Sequence, residues 1–292
     1  VTRPGAVGTT ARRAPAKLNL TLEVLARRED GYHEIETVLM TLPWGDDVQV
    51  TVAEGRGRQV ALEVTGACDG VPTDASNLAV RAAQAVLDHA GVDGVAVRVA
   101  LHKRIAPGAG LGGGSSDAAA VLVLLGERFG VPTAAQCALA AGLGSDVPFL
   151  VGGGAAIARG RGERLEPLPT VRLVPVVLVL APFGCPTGQV YARSAERIRR
   201  APADTLARAV AALASGDPAA WRAAHHNDLA LAALRVEPRL RDLAREMEVR
   251  LGRPPLLSGS GSTLYDVPDA GEEERVVAAL AGLPGRRVLV RP

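Results

Sequence analysis

Between Ala106 and Ala120 the chain reads APGAGLGGGSSDAAA, a glycine-saturated loop that runs into an alanine-rich helix. Five glycines (Gly108, Gly110, Gly112, Gly113 and Gly114) carry no side chain that would keep a ligand off the backbone, and Ser115 and Ser116 bring hydroxyls to the helix start. Unpaired N–H groups and the positive end of the helix dipole favour an anion at such a place, above all a phosphate. The chemistry this stretch suits is nucleotide binding.

Two other residue types stand out. Of 33 basic residues only Lys17 and Lys103 are lysines. A compact ammonium and a planar guanidinium are not interchangeable in a tight site, so a lysine kept in so arginine-rich a chain marks a candidate functional position. His89, His102, His225 and His226 have no metal-ligand spacing with carboxylate or cysteine partners. The run Arg197-Ile198-Arg199-Arg200 reads as a solvated helix face.

The elements that must hold these groups follow from periodicity. Ala16 to Ala26 alternates, with Leu18, Leu20, Leu22 and Val24 on one face and Lys17, Asn19, Thr21 and Glu23 on the other, a half-buried strand with a polar face. A turn at Arg28 to Gly31 leads to Tyr32-His33 and a β-rich run from Ile35 to Leu42; further strands are expected at Asp47–Val52 and Val60–Val64. Asp74 or Ser76 can cap a helix from Asn77 to His89. The helix after the glycine loop, Asp117 to Phe129, is apolar nearly all round and should be buried. Later helices are expected over 200–213, 218–234 and 238–251, followed by a glycine-serine turn, LLSGSGSTLYDV, and a closing helix and strand. Strands and helices mix without regular βαβ alternation, which predicts an α+β fold. The expected domains are 1–165 and 166–292, and the first fourteen or so residues are expected to be disordered.

Composition sets limits. An apolar share of 48% and a charged share of 22% belong to a globular protein, and a net charge of +2 gives no electrostatic footprint for nucleic acid. Cys68, Cys137 and Cys185 lie far apart, as reduced thiols do. No stretch reaches membrane-spanning length, and a cytoplasmic protein without membrane partner is expected. Oligomeric state is left open.

Three phosphate-loop grammars compete. A Walker A loop ends in Gly-Lys-Ser/Thr, and no Gly-Lys pair occurs anywhere. Gly108-x-Gly110-x-x-Gly113 satisfies the dinucleotide string, but His102 to Pro107 separate it from the preceding strand and Glu127 lies inside a helix. The third, Pro-x-Gly-x-Gly-Leu-Gly-Gly-Gly-Ser-Ser from Pro107, resembles the second motif of the GHMP small-molecule kinases. Pro15-Ala16-Lys17-Leu18-Asn19-Leu20 resembles the first motif and Leu257-Ser258-Gly259-Ser260-Gly261-Ser262 the third, so the resemblance spans essentially the whole chain. Asp30-Gly31-Tyr32-His33, the triple glycine, and Gly144-Ser145-Asp146-Val147-Pro148-Phe149 resemble the branch that phosphorylates the 2-hydroxyl of a CDP-linked methylerythritol with ATP in non-mevalonate isoprenoid synthesis.

The resemblance implies a two-domain GHMP kinase fold with the active site in the cleft between domains. It further implies ATP held by Asn77, Lys103 and the loop Pro107, Gly108, Ala109, Gly110, Leu111, Gly112, Gly113, Gly114, Ser115 and Ser116, with Mg²⁺ accompanying the phosphates and no dedicated metal ligand evident. Lys17 is expected to supply charge near the acceptor oxygen and Asp146 to take or orient the hydroxyl proton. An aspartate of pKa about 4 is a poor base for an alcohol, but in a loose transition state the proton leaves late and orientation matters more. Tyr32 and His33 resemble a cytidine-recognition pair; Asn19 and Thr187 are further expected substrate contacts. Kinases of homoserine or mevalonate type, and a non-catalytic nucleotide sensor on the same fold, are the alternatives.

Overall fold

The computed structural model describes residues 8–194 and 201–292. The described chain divides into two compact units, one made of residues 8–16, 44–107 and 112–153, the other of 17–43, 108–111, 154–194 and 201–292. The division does not fall at one point near residue 165, because two long strands each run through both units. These are β1 (Gly8–Arg27) and β2 (His33–Glu54). The expected strands at 35–42 and 47–52 are thus one, and residues 8–14 are strand where disorder was expected.

In the first unit, β3 (Arg58–Gly66) is followed by helix α1 (Leu78–His89) and by β4 (Val95–Lys103), which pairs parallel with β3. The far half of β2, Asp47 to Glu54, pairs antiparallel with β4. Helix α2 (Gly113–Phe129) packs on α1, α3 (Thr133–Ala141) and α4 (Val147–Gly152). Its apolar circumference is buried from Ala118 to Leu125, as the sequence demands. It begins four residues earlier than expected, so the last two glycines of the loop lie inside its first turn.

In the second unit, β5 (Ala155–Gly160) pairs antiparallel with the near half of β2 and with β6 (Arg164–Pro167). Then come β7 (Val176–Leu180), α5 (Thr187–Ser194), α6 (Thr205–Ser215) and α7 (Pro218–Ala224). The expected helix over 218–234 is interrupted by β8 (His226–Asn227), which pairs parallel with Thr21 and Leu22 of β1, and resumes as α8 (Ala230–Val236). Pairing to β1 outcompetes helix continuation there. Helix α9 (Pro238–Leu251) buries the expected stripe of Leu240, Leu243 and Met247. Strands β9 (Leu256–Leu257) and β10 (Leu264–Asp266), helix α10 (Glu273–Ala279) and strand β11 (Arg286–Val290) complete the unit, with sheet order β11-β7-β10-β9. Its core joins Leu22, Val24, Val177, Val179, Leu240 and Met247. The basic run Arg197 to Arg200 lies outside the described residues. No helix among the described residues is long and apolar enough to cross a membrane.

Candidate nucleotide and phosphoryl-transfer site

Residues Gly108 to Leu111 belong to the second unit, and every carbonyl in this segment accepts a hydrogen bond. Gly108 O takes the amides of Cys185 (3.0 Å) and Ser262 (2.9 Å), and Ala109 O takes that of Thr263 (3.0 Å). Gly110 O takes the Ser258 hydroxyl at 3.0 Å, and Leu111 O takes the Lys17 amide at 2.9 Å. The strand carrying Lys17, the glycine segment and the Ser258–Gly261 turn, far apart in sequence, therefore meet. Gly110 is required by the fold itself: its φ is +76°, and a Cβ would lie 2.3 Å from Ser258 O.

From Gly112 onward the loop belongs to the first unit. Gly112 takes a left-handed conformation at the N-cap of α2, and no side chain caps this helix. Its first-turn amides thus have no side-chain cap of the kind that usually satisfies them. A Cβ on Gly114 would meet nothing within 4 Å, whereas one on Gly113 would press on Ile105 at 2.8 Å. The glycines thus serve two ends: some satisfy packing and one leaves open space. Ser115 is half-buried. Ser116 is wholly buried and donates its hydroxyl to Pro15 O at 2.7 Å, so it ties the helix to β1. Pro107 is exposed.

Lys103 lies behind this helix start. It is 4% exposed, and its ammonium donates to Asp46 and Asp117. Asp46 in turn accepts the amides of Arg104 and Ile105. Burial, and the neighbouring Asp46 charge, raise the Asp117 carboxyl above its ordinary pKa against the pull of Lys103. The Lys103 ammonium is thus committed to two carboxylates. Asn77 is the N-cap of α1, in place of the expected Asp74 or Ser76: its Oδ1 accepts the Ala79 amide at 2.9 Å and its Nδ2 donates to Pro72 O at 2.7 Å. Asp146 occupies the N-cap position of α4, half-buried, and its side chain makes no capping bond.

The polar face of β1 is not solvated as alternation suggests. Lys17, Asn19 and Thr21 are 7%, 3% and 1% exposed. Lys17 Nζ donates to Asn19 Oδ1 at 2.6 Å, and Asn19 Nδ2 donates to Thr37 Oγ1 at 2.8 Å. Buried polar groups on a strand persist only when they satisfy one another, and these do.

After the turn that Gly31 closes at φ +83°, Tyr32 is 54% exposed, with the Arg161 guanidinium 4.9 Å from its ring centre. The His33 ring lies 5.2 Å from that of Tyr191. Its Nε2 is shut off from solvent and has no hydrogen-bond partner. Burial, aided by Arg27, lowers the His33 pKa, so the ring is neutral at pH 7. Thr187, expected in a loop, is the first residue of α5, and its hydroxyl meets that of Ser260 at 3.0 Å. Sequence reasoning passed over Tyr191, Arg161 and Thr37. Thr37 carried one signal, as a polar residue within the apolar run Ile35 to Leu42. Among the described residues no group of three or more His, Cys, Asp or Glu could hold a metal ion.

Residues 77–154 match the GHMP kinases N terminal domain. The 4-diphosphocytidyl-2-C-methyl-D-erythritol kinase of Heliobacterium modesticaldum is 41% identical over 286 residues, which cover 91% of this chain and 88% of the relative. That of Mycolicibacterium vanbaalenii is 40% identical over 94% of this chain and 87% of its own length. A crystal structure of 4-(cytidine 5'-diphospho)-2C-methyl-D-erythritol kinase superposes with a TM-score of 0.76 at 37% identity, covering 96% of this chain and 98% of that one. The crystal structure of L. major mevalonate kinase, at 18% identity and a TM-score of 0.72, shares the fold over 100% of this chain and 99% of its own. With relatives about 40% identical over more than nine-tenths of its length, the chain belongs to the 4-diphosphocytidyl-2-C-methyl-D-erythritol kinase family of the GHMP kinases.

Proposed function

We propose that the protein transfers the γ-phosphoryl group of ATP to the 2-hydroxyl of 4-diphosphocytidyl-2-C-methyl-D-erythritol, a step of the non-mevalonate isoprenoid precursor pathway. The observation that carries this reading is the buried, unpartnered Nε2 of His33 beside the Tyr191 ring, on the same strand as Thr37 of the Lys17 network. A buried ring nitrogen without a partner costs about 1–3 kcal/mol, which a hydrogen bond from or to a pyrimidine edge would recover. Homoserine and mevalonate have no base to offer it.

In this reading the amides at the start of α2 take the ATP phosphates, and Gly114 leaves them room. Lys17 faces the transferring group and offsets charge on its equatorial oxygens; Asp146 orients the acceptor hydroxyl and receives its proton late. Asn19 and Thr187 border the acceptor. Lys103 and Asn77 act from behind: their polar atoms hold the helix starts of α2 and α1 in place, so we assign them positioning roles instead of direct nucleotide contact. Mg²⁺ comes as part of the MgATP substrate, carried by phosphate oxygens and water. Three free cysteines suit a reducing cytoplasm.

The test is ATP consumption by the purified chain with the cytidylyl substrate, homoserine and mevalonate in parallel. Turnover confined to the cytidylyl alcohol is expected. Turnover with homoserine or mevalonate instead assigns another kinase of the superfamily, and ATP binding without turnover assigns a sensor.

A further inference from the structure

We infer that Thr37 is a positioning residue for phosphoryl transfer, because its hydroxyl anchors the NH₂ end of the Asn19 carboxamide and so holds the Oδ1 end on the Lys17 ammonium. The inference rests on the reading of Lys17 as the charge at the transferring group.

The argument is a count of protons. Thr37 Oγ1 donates to the backbone carbonyl of Thr21, and a carbonyl can only accept. A hydroxyl has one proton, so toward Asn19 the Thr37 oxygen offers lone pairs alone. The Asn19 group pointing at it must therefore be the NH₂, as the 2.8 Å contact from Nδ2 has it. That leaves Oδ1 to face Lys17, where it accepts from Nζ at 2.6 Å. An ammonium has three donors and no acceptor, so a flipped amide would set donors against donors. The two ends of an amide are alike in shape; here the residues on either side, a donor-only ammonium and an oxygen with lone pairs alone, distinguish them. Burial makes the distinction matter, since Thr37 and Thr21 are each 1% exposed. The far side is held as well: Thr21 Oγ1 accepts the amide of Val38 at 3.0 Å, which keeps the accepting strand against β2. Thr37 touches no reacting atom in this scheme. It acts through Asn19 on the place of the Lys17 charge.

Thr37→Val keeps the shape and removes the hydroxyl, so the NH₂ end of the amide loses its buried acceptor and only the Lys17 ammonium still holds the carboxamide. The expected result is a loss of roughly ten- to a hundredfold in kcat, the scale of one buried hydrogen bond to a charged group, with both KM values nearly unchanged. Thr37→Ser, which keeps the hydroxyl, should restore kcat.

A readout independent of activity exists because the chain has only two lysines. With ¹⁵N-lysine labelling the ammonium spectrum has only the resonances of Lys17 and Lys103 to show, assigned with Lys17→Arg. Thr37→Val should shift the Lys17 signal and speed its proton exchange while leaving Lys103 as an internal reference, and Thr37→Ser should reverse this. An unmoved Lys17 signal in folded Thr37→Val, or a change confined to KM, overturns the inference. Should the valine variant not fold, the unmodified protein still decides. Nuclear Overhauser contacts of the Asn19 amide protons with the Thr37 methyl support the inference, and contacts with the Lys17 ε-methylene instead overturn it. Loss of the kinase reading is separable, since it would show as no turnover in the unmodified protein whatever the amide orientation.

Discussion

Lys103 Nζ and Asp117 Oδ2 stand 2.5 Å apart with both side chains almost wholly out of solvent, at 3% and 4% exposure. Lys103 ends β4 and Asp117 lies in the second turn of α2, so the pair clamps a strand end to the start of the glycine-led helix. Asp46 makes it a triad with two carboxylates on one ammonium. Asp117 Oδ1 is buried without a hydrogen-bond partner, in keeping with the raised pKa of this carboxyl.

Removing the only cation of that triad should be severe. Lys103→Ala is expected to destabilise the protein by about 3–5 kcal/mol, because it strands two buried carboxylates. Urea unfolding measures it. A variant of normal stability whose sole defect is a raised KM for ATP would instead make Lys103 a direct nucleotide contact.

Gly114 and Gly110 should respond oppositely to the same methyl group. At Gly114 an added Cβ meets nothing, so alanine should keep or raise stability by up to about 1 kcal/mol while raising KM for ATP. At Gly110 the positive φ and the 2.3 Å approach to Ser258 O predict a badly destabilised or unfolded protein. Thermal unfolding with ATP titration tests both; an unchanged KM in Gly114→Ala argues that phosphate sits elsewhere.

His33→Ala should raise KM for the cytidylyl substrate by roughly tenfold or more, the value of one buried hydrogen bond, and leave KM for ATP within about twofold. Because the His33 pKa is already lowered, that KM should stay flat from pH 8 down to pH 7 and rise only below the ordinary histidine range. Equal effects on both substrates would refute base recognition by this ring.

His225 supplies a pH dependence of stability. Burial pushes its pKa down to about 4, and its Nδ1 lies 3.1 Å from the Tyr265 hydroxyl. The unfolded chain protonates this ring near pH 6.5, so below that pH it binds more protons than the folded one. Stability should therefore fall as pH drops from about 6.5 toward 4, by about 2 kcal/mol from this group, since part of the residue keeps access to solvent. In urea titrations at pH 7, 5.5 and 4.5, His225→Asn should show a shallower loss over that window, whatever its stability at pH 7. An identical slope would remove His225 as the cause.

Much of the local architecture was legible in the sequence. The 3.6-residue stripe of α9 and the all-round apolar shaft of α2 identify helices, because those periods report one buried face or a wholly buried cylinder. The three motifs and the Tyr32-His33 pair were readable for a different reason: glycine, lysine and histidine are chemically singular residue types. Less could be read where long-range pairing competes with local pattern. The break between α7 and α8 arises from pairing of His226-Asn227 with β1, a partner some two hundred residues away in the chain.

The sequence by itself determined which residue types were on hand: a glycine-led helix start, two lysines and the adjacent Tyr32-His33. Only the tertiary structure decided what each one touches. Alternation along β1 put Lys17 and Asn19 on one face but could not say that the face is buried, since the strands covering it are distant in sequence. It could not reveal that Lys103 is spent on Asp46 and Asp117, or that Thr37 anchors the Asn19 amide. Hydrogen bonds between buried side chains depend on positions set to a few tenths of an ångström by the whole core. A run of residue types carries no such distances.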